Sequence, residues 1–378
     1  MSTLPICWDG GDAPGSVAVV NRPGADGREQ ARSNRGCRSM KRFRQLSMVA
    51  VALLLSGVAG IVTAQPAAAA EDPMCRTAPG SSPWYPGPSA SATYDDTFHA
   101  SVAIPAGLLS GRYVPQGLAY WNNWNGTTED ILLISAYHDG NGNKTPDGPS
   151  AIFGVVLSGA NRGKSLGRML IPTTHAGGIA IAGGYVYVGG EGIVRYWSAG
   201  SVRSVLKAAN NSHTYQPKST QNVAGNASFL GTQGGTIWTG DFSSTTHQHM
   251  WQYRPRSNGS LGYTGAKRWV PKKTQGMTVV GSRFVFATSE GRNDRGNVWV
   301  RPTSYTSDIT DGTSFCMRAP SMIEGLAYGN SNGNAHVWAL YESGAYTYNK
   351  GLDDPDNPIR TIHWAGGATL AGLYGQSD

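Results

Sequence analysis

Five short stretches of the chain open on a polar side chain and run straight into an apolar segment; the opening groups are Gln116, His175, Asn226, Gln275 and Glu324. Each stretch then passes a Gly- or Asn-containing turn, forms a second apolar run, and ends at a carboxylate: Asp139, Glu191, Asp241, Glu290 or Glu342. A carboxyl pair can divide general acid and base duties, and carboxylates with amides can hold the hydroxyl groups of a sugar. His175 and Glu324 are the titratable openers, so proton transfer would fall to them, Glu324 as general acid or base and His175 as its partner or as a cation ligand. The repeated carboxylate has a second reading, because an acid ahead of a tight turn also caps backbone N–H groups for purely architectural reasons.

The openers lie 59, 51, 49 and 49 residues apart, and the closing carboxylates 52, 50, 49 and 52 apart. A period near 50 built from short β-favouring runs separated by Gly, Asn, Asp and Pro is that of a four-stranded blade, and predicts an all-β protein, a β-propeller of five four-stranded blades. Blade one takes residues 117–121, 131–137, 151–157 and 164–171. Blade two takes the copy HAGGIAIAGGYVYVGGEG followed by IVRYW and SVRSVL; blade three takes ASFLGT, TIWTG, HMWQYRP and LGYTGAKRWV; blade four takes GMTVV, RFVFAT, NVWVRP and SFCMRAP; blade five takes GLAYG, HVWALYE, AYTYNK and PIRTIHWA. Residues 94–105 read as a further strand that either completes the last blade where the ring closes or, with the tail, adds a sixth. A two-sheet sandwich would also use short alternating strands, but it does not repeat its inner motif at a constant period.

Adjacent blade strands are antiparallel, so the start of each inner strand and the end of each second strand share one face. The ten openers and closers therefore map to one mouth of the ring, an acidic funnel suited to a polar ligand, a carbohydrate foremost. Loops over residues 138–150, 207–225, 240–248 and 289–297 add Tyr137, His138, His213, Tyr215, His247, Arg292 and Arg295 to that face. Asp139, Asn141 and Asn143 alternate like the oxygen ligands of a calcium loop, although Lys144 replaces the loop glycine and Ser150 the closing Glu. His247 and His249 place two imidazoles on one strand face without a third zinc ligand at hand.

Compartment follows from the N-terminus. Lys41-Arg42-Phe43-Arg44, an apolar run over residues 48–64 and an alanine tract ending at Ala70 have the layout of a secretory signal, with Met40 as the natural start. This divides the chain into an upstream region with signal (1–70), a Pro/Ser/Gly-rich lead-in (71–92) and one propeller domain (93–378). Removing residues 1–70 takes eight of 31 Lys and Arg and four of 24 Asp and Glu, leaving 23 against 20, a net charge of +3. No basic stripe remains for nucleic acid. An exported monomer without a membrane span after cleavage is the expectation, and Cys75 and Cys316, the two cysteines beyond the signal, are expected to form a disulfide.

The blade pattern, a polar residue, Gly, an apolar pair and Ala or Thr before a strand such as YVYVGG or RFVFAT, resembles the secreted propellers of the senescence-marker/gluconolactonase and strictosidine-synthase-like group. That resemblance implies a divalent cation such as calcium at the channel, with Glu324 in IEGL and Asn226 matching its carboxylate and amide ligands, while Gln116, His175 and Gln275 depart from them. It also implies a cation-dependent lactonase or esterase activity. The five-blade count is similar to that of glycosidase and lectin propellers, so a glycosidase using paired carboxylates stands beside a binding module, and a structural or protein-interaction propeller is the third class.

Overall fold

A computed structural model describes Cys75 and residues 91–126, 128–208, 212–291, 294–310, 312–349 and 358–375. The signal-like segment and, apart from Cys75, the lead-in up to residue 90 lie outside the described residues.

Twenty described strands form five four-stranded antiparallel sheets. β1 (Phe98–Ala103) comes first. It is followed by β2 (Tyr113–Trp121), β3 (Ile131–His138), β4 (Gly148–Val156) and β5 (Ser165–Ile171) of blade one. Blade two holds β6 (Gly178–Ala182), β7 (Tyr185–Gly190), β8 (Ile193–Ser198) and β9 (Ser219–Asn222). Blade three holds β10 (Phe229–Gln233), β11 (Thr236–Gly240), β12 (Gln248–Pro255) and β13 (Leu261–Val270). Blade four holds β14 (Thr274–Val280), β15 (Arg283–Thr288), β16 (Gly296–Pro302) and β17 (Phe315–Ala319). Blade five is β18 (Ile323–Ser331), β19 (Asn334–Tyr341), β20 (Thr361–Gly366) and, on its outside, β1. The protein is a five-bladed β-propeller.

The glycine beside the opening residue has a steric cause. The inner strands β2, β6, β10, β14 and β18 pack backbone to backbone around the ring. A Cβ added at Gly325 of β18 would stand 2.4 Å from Leu118 N, and one at Gly117 of β2 would stand 2.5 Å from Ile179 N. Only glycine lets adjacent blades approach this closely. The hairpin turns above them follow the same logic of backbone geometry: Asn332 (φ 53°) and Gly333 (φ 79°) form the two-residue turn between β18 and β19, where both central residues need positive φ.

Five core clusters lie one between each pair of neighbouring blades. Because blades cover one another on both faces, β2 and β3 are buried along almost their whole length, whereas the outer strand β13 is exposed or half-buried between its two buried ends. Between blades three and four, for example, Trp238 meets Phe284 edge to face at 5.3 Å.

The ring closes where β1 pairs with β20, Phe98 opposite Ala365 and His99 opposite Trp364, so the strand ahead of the first repeat completes the last blade. Five sheets use all the described strands, and the sixth-blade alternative falls. Cys75 and Cys316 form a disulfide to β17, across 241 residues of sequence, with Cα atoms 4.7 Å apart.

Three local expectations are corrected. SVRSVL is not a strand: residues Ala199–Lys207 form a helix whose first turn is capped by Ser198 Oγ accepting from Ser201 N at 3.1 Å, and Val202, Val205 and Leu206 bury one helical stripe. The outer strand of blade two is the polar β9, paired Ile193 to Asn222. In blade five, AYTYNK folds as a 3-10 turn over Tyr346–Tyr348, and PIRTIHWA supplies the third strand. Residues 94–97, the start of the expected strand over 94–105, instead belong to a short helix, Ala92–Thr97, capped by Ser91 Oγ, which accepts from Tyr94 N at 3.1 Å. Two other short helices, Ala106–Leu109 and Gly367–Gly372, flank the ring, and no helix among the described residues is long and apolar enough to cross a membrane.

Candidate functional site

Three of the five openers sit on an extra residue in their strand. The ladder between β2 and β3 slips between Pro115 and Leu118, that between β14 and β15 between Thr274 and Gly276, and that between β18 and β19 between Ile323 and Leu326. These bulges re-aim Gln116, Gln275 and Glu324 out of the regular alternation. His175 and Asn226 instead stand ahead of β6 and β10, whose ladders are regular.

The fivefold set then divides. Glu191 accepts from the His175 backbone N–H at 2.8 Å and from Thr174 Oγ1 at 3.0 Å, and pairs with Arg195 at 3.3 Å. Asp241 accepts from the backbone N–H of Asn226. Asp139 is buried and accepts from the N–H groups of Gly142, Asn143 and Lys144. In blade four the position matching Asp139 and Glu342 is Ser289: the N–H groups of all three donate to the carbonyl of a positive-φ residue, Arg112, Lys273 or Met322, ahead of the inner strand. Glu290, one residue on, pairs with Lys273 at 3.1 Å, and Gln275 Nε2 reaches Ser289 O at 3.4 Å.

Blades five, one and two gather a different group. Gln116 Nε2 donates to Glu342 Oε2 at 2.9 Å, and Tyr348 Oη donates to the same oxygen at 3.4 Å. Tyr348 and Tyr137 are joined through their hydroxyls, and the Tyr137 ring stacks on His175 with centroids 4.9 Å apart. Glu324 is 1% exposed, and its Oε1 has no hydrogen-bond partner. Burial, followed by the charge of Glu342, holds the Glu324 carboxyl well above the usual carboxylate range, which favours its protonated form. Burial raises Tyr137 and Tyr348 in the same way. His175 meets solvent but is walled by protein on most sides, and this desolvation lowers its pKa against the opposing pull of Glu191. Tyr348 was missed in the sequence because it lay in a segment assigned to a strand; its turn instead packs Ala345 and Tyr348 against Val114, Tyr137 and Met322.

The loop groups read from the sequence go elsewhere. His138 pairs with Asp147 at 2.8 Å. Asn141 and Asn143 turn their side-chain oxygens to the N–H groups of Asn143 and Thr145 in the same loop. His247 pairs with Asp308 at 2.9 Å, and His249 packs on Trp269 at 3.8 Å. His213 lies edge to face with Tyr215 at 5.2 Å, and Arg292 is outside the described residues. For the divalent cation implied by the resemblance, Glu324 Oε1 is a fitting oxygen, but no three His, Cys, Asp or Glu side chains group for a metal among the described residues.

No family model matches the chain, and no curated protein matches it. Among solved structures it is similar to a Bombyx mori GH32 β-fructofuranosidase in complex with sucrose, at 10% identity and a TM-score of 0.35 over 72% of this chain; it spans 62% of that enzyme. It is also similar to a luciferin-regenerating enzyme, at 8% identity and TM-score 0.35 over 71% of this chain and 95% of the other, and to RS223-β-xylosidase, at 11% and 0.40 over 71% and 94%. At such distances the likeness reaches no side chain of the site.

Proposed function

We propose that the protein binds a polar, hydroxyl-rich small molecule, a carbohydrate foremost, at the Glu324–Glu342 end of the ring. The observation that carries this reading is Oε1 of Glu324: a buried oxygen without a partner, on a bulged inner strand, beside a second carboxyl group. Leaving such an atom unpaired costs about 1–3 kcal/mol, which a ligand hydroxyl would recover. A protonated Glu324 offers both an O–H donor and a carbonyl acceptor, matching the two-way hydrogen bonding of a sugar hydroxyl. Tyr137 and Tyr348 lie within charge range of Glu324, and His175 stacks on Tyr137, so planar rings surround this end of the site. Export through the segment ending near Ala70 would bring the site to extracellular glycans, with the protein acting as a monomer.

One observation favours a second reading. Two neighbouring carboxyl groups, one with its pKa raised by burial, are the ingredients of general acid and base catalysis, so a hydrolase would use Glu324 as the acid. Glycoside hydrolysis further requires the carboxyl groups about 5–9.5 Å apart. Incubating the protein with glycan and lactone panels, with and without chelator, and assaying both binding and products separates the readings. Saturable glycan binding without product supports the binding module; product moves the function to hydrolysis; an empty panel overturns both in favour of a protein-interaction ring.

A further inference from the structure

A second cleft lies at the other end of the blades. Glu324 begins β18, whereas Ser331, Asn332 and Asn334 frame the turn at its far end, about 25 Å away along nine residues of strand. The cleft, of about 210 Å³, opens between blades five and one and is lined by Trp338, Trp364, His336, Asn332, Asn334 and Arg162 among others.

Its chemistry is distinct from that of the channel end. Trp338 and Trp364 are direct cross-strand partners on β19 and β20, and they bring their indoles to one face of the blade. Tyr120 stacks on Trp338 at 5.2 Å with rings 11° apart, and His336 meets Trp364 edge to face at 4.7 Å, so the aromatic wall is braced from behind and from the side. His336 Nδ1 is inaccessible to solvent and has no hydrogen-bond partner, and burial lowers the pKa of its imidazole, leaving a neutral ring. The turn fixes the Asn334 amide, whose Nδ2 donates to the Asn332 backbone carbonyl at 3.2 Å. Ser331 behind them is anchored to buried Asp130 at 3.0 Å. No carboxylate lines the cleft, and Arg162, exposed on the turn after β4, has no ion-pair partner among the described residues.

We infer that this cleft is a separate sugar-binding site that takes a single pyranose ring carrying a carboxylate, such as a uronic acid residue of an acidic glycan. Indole walls suit the C–H faces of a pyranose, the amides its hydroxyls, and an unpaired guanidinium its carboxylate through a two-pronged hydrogen bond. The volume is below the roughly 300–1,000 Å³ of sites for larger ligands, which limits the occupant to one ring.

Titration of the full-length protein with methyl glucuronide, and with methyl glucoside as its neutral counterpart, tests this by calorimetry and tryptophan fluorescence. The expected result is saturable binding of the glucuronide that perturbs indole emission, with the glucoside at least about tenfold weaker. Arg162→Ala, a change on an exposed turn that leaves the core untouched, should remove the preference for the acid, and Asn334→Ala should weaken both sugars. Absence of saturation with either sugar would overturn the inference, as would a glucuronide affinity unchanged in Arg162→Ala. Loss of binding in Glu324→Gln with retention in Arg162→Ala would place the sugar at the channel end and also overturn it.

Discussion

Gln116 and Glu342 are 226 residues apart in sequence, yet Gln116 Nε2 donates to Glu342 Oε2 at 2.9 Å. The bond joins the opening residue of the first blade to the closing residue of the last second strand, across the interface where β18 packs on β2. It holds Glu342 beside Glu324, and the charge so placed is, after burial, a cause of the raised Glu324 pKa.

The raised Glu324 pKa has a stability consequence. The native state binds this proton and the unfolded chain, near its ordinary value of 4.5, releases it, so stability falls as pH rises from there toward the folded value. The slope from this group is at most about 1.4 kcal/mol per pH unit. Urea midpoints measured from pH 4.5 upward should decline in the native protein and flatten in Glu324→Gln. Equal slopes in the two would refute the assignment.

His363 gives the opposite sign. Its Nδ1 is hydrogen-bonded to Tyr94 Oη at 2.8 Å, and burial pushes its pKa down to about 3. The unfolded chain takes up a proton near 6.5 while the native ring stays neutral, so this contribution is complete above 6.5 and lost as pH falls toward about 3. His363 pairs with Ala100 of β1, so acid should loosen the closing strand first. Hydrogen exchange of β1 amides at mildly acidic pH should accelerate before that of β3, and uniform acceleration would count against this order.

Close approach of the inner strands predicts an asymmetric response to alanine. Gly325→Ala sets its Cβ against backbone atoms of β2 and should cost about 3 kcal/mol or prevent folding. Gly107→Ala, where nothing lies within 4 Å, should shift stability by under about 1 kcal/mol. Thermal unfolding of the pair checks this, and comparable midpoints would remove the steric account of the repeated glycine.

The Cys75–Cys316 bridge should protect both thiols from labelling in the unreduced protein, and Cys316→Ala should lower stability by about 2–5 kcal/mol. Labelling of both cysteines without reductant would show that the bridge does not form.

Blade number and most strand positions were legible because the period of the openers is set by the backbone: one Gly-tight inner strand per blade. The polar β9 carried no apolar run to reveal it, and the helix at Ala199–Lys207 hid behind β-branched residues although Ser198 was a readable cap. In the site, Gln116, Glu324 and Glu342 were legible as residues at one face. Their association was not, because it depends on bulges that re-aim two of them and on the turn that brings in Tyr348. Nor could the sequence separate Glu191, Asp241 and Asp139, each of which accepts from backbone N–H groups, from Glu342, whose carboxylate accepts from Gln116 and Tyr348.

The central claim is that a polar ligand completes the unpaired carboxyl of Glu324. Its most direct test is the calorimetric affinity of the best glycan from the panel for the native protein and for Glu324→Gln, with circular dichroism confirming that both are folded. Replacing the acid O–H by an amide should weaken binding by about tenfold or more. An unchanged affinity in the folded variant would contradict the claim.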